Sequence, residues 1–403
     1  MKRTFKEAKG RNKIFRIALV GLMALTILVS IVGRGIAQEG LERKLETYLE
    51  VLNIVKHDFV EKDIDNEKLV YGSIRGMLSS LDDPYTRFVE PKAYQEMVIR
   101  MGGSYSGIGI YIGMKEHQIS VIAPIEGTPA FKVKLIAGDK IMTIDGKITK
   151  DMALEQAVSL IRGPRGTSVK LGILRDGWEK TKDFAIVRES IKIKSIKTKR
   201  LDDNIAYIKL ITFENLKGSS EFEKALRSVQ DSDGLIIDLR NNGGGLLQNA
   251  IDIGSMFIDN GVIVQTVDRD GRKEKIDSRG RVLWQKPTVV LVNGASASAS
   301  EILAGALRDN HIATLVGEKT FGKASVQNVR RLSDGSALLV TIAKYLTPNG
   351  HYINKIGITP EVEVALPSEE AKAQLLPEIE QGNDAQLSKA IDILKAKILK
   401  TNG

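Results

Sequence analysis

Pro287-Thr-Val-Val-Leu-Val292-Asn-Gly-Ala-Ser296-Ala-Ser298-Ala-Ser300-Glu301-Ile-Leu-Ala-Gly-Ala-Leu307 decides the fold. An unbroken aliphatic run reads as a buried strand, small residues let the backbone turn, and apolar helical spacing then takes over. The same sentence is written upstream, where Gly234–Leu239 is a strand, Arg240-Asn-Asn-Gly-Gly-Gly245 a turn and Leu246–Ile258 a helix. Further out, Ile205–Leu210 and Ile312–Val316 read as strands, and Gly218–Val229 as a helix. Strand–helix alternation predicts a β-α-β core with a partly parallel sheet. Val326–Arg330 and Ala337–Ala343 predict a closing β ribbon.

On the amino-terminal side the pattern is different. Ile108–Ile112, Ile119–Ala123, Lys140–Ile144, Ser168–Arg175 and Lys182–Val187 read as short strands, interrupted by a helix over Ala153–Ile161. Asp145-Gly146 and Asp176-Gly177 mark turns between them. These elements describe a small, partly open barrel. Residues 39–100 read as mainly helical, with Leu41, Leu45, Tyr48, Leu49 and Leu52 at helical spacing. The fold class expected is therefore a multidomain α+β and α/β chain. Its parts are a leader at 1–37, a helical region at 38–95, a β-rich domain at 96–188, the core at 189–367 and a helical segment at 368–403.

Composition narrows the chemistry. The 403 residues include no cysteine, which excludes disulfides, thiol nucleophiles and Cys-ligated metals. The four histidines form no H-E-x-x-H frame, so no metal and no cofactor is expected. The formal charge is +9, but residues 1–37 carry seven of those nine charges. The basic excess belongs to a leader rather than to a nucleic-acid surface, and no nucleic-acid partner is expected. Ile17–Gly33 runs 17 residues without a charge, a length of about 25 Å as helix. A basic flank before an apolar run is an export signal, which leaves the rest on the outer face of the cytoplasmic membrane or in the periplasm. Gly35-Ile36-Ala37 offers a cleavage site, and both cleavage and retention as a membrane anchor stay open.

Three loops carry candidate chemistry. Gly317-Glu-Lys-Thr-Phe-Gly-Lys323-Ala324 matches a phosphate-loop spacing but ends in alanine, and the strand-like Ser325-Val-Gln-Asn-Val follows it, which argues against a nucleotide site. Ser296, Ser298 and Ser300 sit where a helix amino terminus could stabilise an oxyanion, although Ser298-Ala-Ser-Glu301 also reads as a capping box. The glycines at 243–245 let backbone amides approach an anion, or merely form a flexible cap. Loops at the carboxyl ends of neighbouring strands share one crevice. A serine there needs a base. G-x-S-x-G and S-x-x-K are both missing, and a lysine made neutral by burial can serve. Lys323 is better placed than Lys319, which reads as a solvated charge.

Taken in order, Ser80-Leu-Asp-Asp-Pro-Tyr-Thr86, Leu239-Arg-Asn-Asn-Gly-Gly-Gly245, Asn293-Gly-Ala-Ser-Ala-Ser298-Ala-Ser-Glu301 and Gly317-Glu-Lys-Thr-Phe-Gly-Lys323-Ala-Ser-Val-Gln327 closely resemble the carboxyl-terminal processing (tail-specific) serine proteases. The resemblance runs from about residue 40 to 395. It implies Ser298 as nucleophile, Lys323 as general base 25 residues on, and Gln327 as the group that orients the lysine. It implies oxyanion donation by the amides of Gly244 and Ala299. Gly243 stands where many members carry proline, which implies a less rigid loop, and Ala295 replaces a frequent glycine.

The β-rich region then resembles a PDZ domain. Ser106-Gly107-Ile108-Gly109-Ile110 is similar to the loop whose amides bind a peptide's terminal carboxylate, beside a strand edge that accepts the peptide. Gly127-Thr-Pro-Ala130, Ala137-Gly-Asp-Lys-Ile141 and Leu160-Ile-Arg162-Gly-Pro-Arg-Gly-Thr167 follow in family order, and Arg162 is a candidate coupling residue. The implied function is an exported, ATP-independent serine endopeptidase that captures free apolar carboxyl termini and cleaves near them. The alternative is a PDZ adaptor that binds tails without turnover. Leu387, Ile391, Ile393 and Leu394 predict a carboxyl-terminal helix that packs on the chain itself or forms a homodimer interface.

Overall fold

The computed structural model describes residues 40–115, 118–365 and 384–402. The leader at 1–37 lies outside the described residues, and among these no helix is long and apolar enough to cross a membrane. The chain divides into a unit ending at Ser73 and a second from Ile74 onward. In the first unit a helix over 40–58 realises the expected spacing, with Leu41, Leu45 and Leu49 exposed. Tyr48 Oη lies 2.9 Å from Ser73 Oγ.

In the second unit, the β-rich region forms an antiparallel sheet in the order Ile110–Lys115, Gln118–Pro124, Lys140–Ile144, Ser168–Leu174, Lys182–Val187. Inward-facing Ile119, Val121, Ile141, Leu171 and Ile173 fill its core together with Ala157 and Ile161 of the helix Leu154–Ile161. The strand Ile110–Lys115 is an edge of this sheet. A separate two-stranded ladder pairs Ser104–Gly107 with Glu189–Lys192.

The core sheet runs Ile196–Arg200, Ile205–Leu210, Gly234–Asp238, Thr288–Val292, Ala313–Gly317, Val362–Glu363. The first pair is antiparallel and every later pair parallel. Gly234–Asp238 and Thr288–Val292 are buried along their whole length, as central parallel strands covered on both faces must be. Alternation divides their side chains between two cores. Ile208, Ile237, Val290 and Leu315 face the helices Gly218–Arg227, Leu247–Gly254 and Ala299–Asp309. Tyr207, Ile236, Val289 and Val316 face the helix Ala385–Asn402, which buries Leu387, Ile391 and Leu394 against them. The carboxyl-terminal stripe therefore packs on the chain's own sheet, with Ile393 partly buried beside it.

The expected ribbon is the pair Ser325–Arg331 and Ala337–Leu346. It is larger than the sequence pattern indicated, because Ala337–Leu346 also pairs with Arg87–Val89 and with the hairpin Val262–Asp268/Lys273–Asp277.

Candidate active site

The helix Ala299–Asp309 starts where the strand Thr288–Val292 has ended and turned, and Ser298 is its N-cap. Ser298 has φ +56°, a conformation disfavoured for a side chain with a Cβ and one that persists only where the surroundings enforce it. Ser296 and Ser300 supply part of that enforcement. Ser296 Oγ donates to Leu239 O at 2.8 Å, and Ser300 Oγ to Asn242 O at 2.8 Å, both buried. Asn241 and Asn293 pair reciprocally, Asn241 N to Asn293 Oδ1 at 3.0 Å and Asn293 Nδ2 to Asn241 Oδ1 at 2.9 Å. The glycine loop and the serine loop are thus stitched together.

A cavity of about 470 Å³ opens at this junction, lined by Ser298, Lys323, Gly244, Ala299 and Gln327 among others. Of the three clustered serines, Ser298 alone lines it. Gly244 has φ +92°, and a Cβ there would lie 2.8 Å from Ala299 N and 2.9 Å from Ser298 Cβ. No larger residue fits so close to the turn. The Gly244 amide donates to Asn242 Oδ1 at 3.0 Å. The Ala299 amide belongs to the first helical turn, whose N–H groups have no intrahelical acceptor.

Lys323 is half-buried in the same cavity, and burial pushes its pKa down. The positive charge of Arg87 adds to that, while Asp83 and Glu301 oppose it. Its Nζ lies 4.5 Å from the centroid of the Tyr85 ring. Tyr345 Oη donates to both Ser298 O, at 3.2 Å, and Lys323 O. Gln327 is adjacent, but its amide donates to Ser325 Oγ at 2.9 Å and Thr341 Oγ1 at 3.3 Å. Lys319 is exposed.

Sequence reasoning gave Asp83 and Tyr85 no role beyond a family-like block, and Arg87 none at all. The structure puts them in the lysine's surroundings because Arg87–Val89 pairs with Leu339–Ala337. No local pattern signals a three-residue strand whose partner lies some 250 residues away. Glu301 was legible as a cap, but not as the buried carboxylate it proves to be.

A second groove, of about 210 Å³, is lined by Gly107, Ile108, Gly109, Ile110, Ile161 and Arg162 among others. The carbonyls of Ile108 and Gly109 accept from Ala130 N and Ile125 N, each at 2.9 Å. A trans peptide points its N–H opposite its C=O, so the Gly109 and Ile110 amides face away from those partners. Ser106 is not part of the lining, and its Oγ is buried without a hydrogen-bond partner. The Arg162 guanidinium lies 5.1 Å from the Tyr105 ring centroid and 3.8 Å from Glu96 Oε1. Among the described residues, no cluster of His, Asp or Glu could hold a metal ion.

Comparison with known proteins places the same three regions. Residues 204–364 match the model of peptidase family S41, residues 96–174 that of the PDZ domain, and residues 32–93 that of the activating protease CtpB N-terminal domain. A carboxyl-terminal-processing protease of Synechocystis sp. is 39% identical over 350 residues, covering 85% of this chain and 80% of that one. The carboxy-terminal processing protease CtpA of Bacillus subtilis is 37% identical over 369 residues, covering 89% of this chain and 78% of its own. A solved structure assigned as an S41 protease, from Bacteroides fragilis, shares the fold at a TM-score of 0.50 and 16% identity, over 80% of this chain and 90% of that one.

Proposed function

The chain belongs to the carboxyl-terminal processing proteases of peptidase family S41, and from that premise we propose that it is an exported serine endopeptidase with a Ser298–Lys323 dyad. One observation carries the assignment: a single cavity is lined by Ser298, Lys323, Gly244 and Ala299. In the reaction, neutral Lys323 takes the proton from Ser298 Oγ as the oxygen attacks the peptide carbonyl. The developing oxyanion takes the amides of Ala299 and Gly244, the latter exchanging Asn242 Oδ1 for the substrate oxygen. The protonated lysine gives its proton to the leaving amine, and water then hydrolyses the acyl-enzyme. Before attack, the lysine amine, 4.5 Å from the Tyr85 ring centroid, must come within hydrogen-bond reach of Oγ. Gln327, on the cavity wall, would steady it there.

The groove of the PDZ domain would hold the substrate's free apolar carboxyl terminus. Within the Ser106–Ile110 loop the amides of Gly109 and Ile110 take the carboxylate, and the edge strand Ile110–Lys115 accepts the tail as an added strand. Arg162 bridges the groove and Glu96, on the helix Pro91–Met101 whose Met97 and Met101 line the catalytic cavity. We read it as the residue that would report tail binding. Export rests on the basic flank and the apolar run Ile17–Gly33. No cofactor enters the scheme.

The test is cleavage of an unfolded substrate with an apolar free tail. Ser298→Ala and Lys323→Ala should each lose at least ~10³-fold in kcat, as expected when one member of a cooperating catalytic unit is removed. Wild-type turnover by either variant would refute the dyad.

A further inference from the structure

Arg240 lies four residues before Gly244, and its side chain is buried. Its guanidinium is held from two sides. Nε and Nη2 donate to Asp238, at 3.0 and 2.8 Å. Nη1 donates to Asp384 Oδ1 at 2.9 Å and to Gln386 Oε1 at 3.1 Å, and Nη2 lies 2.8 Å from Asp384 Oδ2. Asp384 and Gln386 are themselves buried at the start of the carboxyl-terminal helix. Asp384 Oδ1 accepts from Leu387 N at 3.0 Å, while Gln386 Nε2 donates to Val364 O at 2.8 Å. Tyr207 Oη donates to Asp238 Oδ2 at 2.6 Å, and Lys209 Nζ stands 3.9 Å from the same oxygen. Burial alone would raise the Asp238 carboxyl, but Arg240 first, with Lys209 and Tyr207, outweighs it and holds it below the ordinary range. Two carboxylates thus face two cations.

A buried ion cluster is a poor source of stability, because desolvation consumes much of the Coulombic gain. What a bidentate guanidinium does supply is fixed geometry. The adjoining loop depends on such anchors: Asn241 pairs with Asn293, Phe213 N donates to Gly244 O at 3.0 Å, and Arg240 is the anchor where the loop leaves its strand. The loop holds three consecutive glycines, and Gly243 is exposed with open space around its Cα. Gly244 nevertheless has to sit within contact of Ser298 and Ala299.

We propose that Asp384, with Gln386, is a positioning residue for catalysis: by fixing Arg240 it sets the glycine loop that presents the Gly244 amide to the reacting carbonyl. The start of the carboxyl-terminal helix is then part of the catalytic apparatus, while its later turns, Leu394 among them, only cover the sheet. This rests on the dyad reading above.

The experiment compares Asp384→Asn and Asp384→Glu with Leu394→Ala, which removes packing against the sheet without touching the cluster. Thermal unfolding, kcat, KM and Ki for a peptide aldehyde are measured on folded full-length protein. Asp384→Asn should lower kcat about tenfold at nearly unchanged KM, less than the ~10²–10³ lost when an oxyanion donor is deleted outright. The aldehyde Ki, whose hemiacetal oxygen uses the same amides, should weaken in step, and Asp384→Glu should recover most of the loss. Leu394→Ala should lower the unfolding temperature and leave kcat at its wild-type value below the transition. Wild-type kcat in Asp384→Asn, or a loss that merely follows unfolding temperature across both variants, overturns the proposal. Should Asp384→Asn not fold, Gln386→Leu is judged by the same criterion. Ser298→Ala in the same assay separates the two failures, since turnover by that variant defeats the dyad reading itself.

Discussion

The backbone amides of Ser298 and Lys323 donate to one and the same oxygen, Glu301 Oε2, each at 2.9 Å. Its other oxygen accepts from Gly322 N at 2.7 Å and Thr320 Oγ1 at 2.6 Å. Four donors converge on a buried group that, ionised, only accepts. Glu301 therefore fixes the distance between the proposed nucleophile's backbone and the proposed base's backbone. Glu301→Gln would turn an NH2 group toward these donors. We expect a loss of ~1–3 kcal/mol in stability, the usual cost of a buried unsatisfied donor, together with a fall in kcat. Thermal unfolding and cleavage assays read both, and wild-type values in both would show that the bridge is incidental. Burial raises the Glu301 pKa, with the hydrogen bonds from Thr320 and the Lys323, Gly322 and Ser298 amides offsetting part of the rise. The native state then binds the proton more tightly than the unfolded chain. This contribution to stability falls as pH rises from the ordinary glutamate value through the raised one, and Glu301→Gln should remove that part of the slope.

Lys323 gives the opposite sign. Burial, then Arg87, lowers its pKa, so the native state holds this proton less tightly than the unfolded chain does. Stability from this group grows as pH rises through the lowered value toward the ordinary lysine range. The free amine grows over the lower part of that window, and on the proposed dyad the acid limb of kcat/KM should grow with it. Arg87→Gln removes a repelling charge and should move the limb to higher pH. Arg87 is exposed, so the displacement should shrink at high ionic strength. A limb that stays in place in low salt would remove Arg87 from the account.

The three serines should separate by function. Ser296 and Ser300 each donate to a backbone carbonyl in the buried seam between the two loops. Replacing either by alanine should cost about 1 kcal/mol, a typical net hydrogen bond, with measurable turnover retained. Ser298→Ala should keep its fold and lose turnover. Circular dichroism alongside the cleavage assay makes the distinction, and complete inactivation of a folded Ser296→Ala variant would count against it.

What the sequence made legible was whatever is written locally. Unbroken aliphatic runs such as Thr288–Val292 announced central strands, and small or glycine-rich turns announced the loops at their ends. Brought together at the carboxyl ends of parallel strands, those loops form the cavity lined by Ser298, Lys323 and Gly244. The unread features are long-range pairings. The hairpin strand Lys273–Asp277 alternates charge with little apolar content, as an edge strand does, and looks like a loop. Leu246–Ile258 kept its helical spacing past the point where the helix stops at Gly254. Asp384 looks like an ordinary polar residue until Arg240 is placed against it, 144 positions away in the chain. Tyr85 similarly gains its meaning from Lys323.

Tail capture can be separated from chemistry at Gly109. Its φ is +78°, and a Cβ there would collide with the Thr128 side chain, whose Oγ1 donates to Gly109 O at 3.0 Å. Gly109→Ala must therefore move the loop, and with it the Gly109 and Ile110 amides proposed to bind the tail. Because each 1.4 kcal/mol is tenfold in affinity, a distortion of that order should weaken binding of a free-acid apolar tail about tenfold. Cleavage of a short peptide that cannot reach the groove should continue at the wild-type rate. Amidating the tail removes the anionic partner of the same amides, so wild-type protein acting on an amidated substrate should behave like Gly109→Ala acting on the free acid. The variant should then be indifferent to amidation. Isothermal titration with the tail peptide, beside cleavage of matched acid and amide substrates, tests both statements. Equal affinity of the wild type for acid and amide would mean that the Ser106–Ile110 loop does not read the carboxylate.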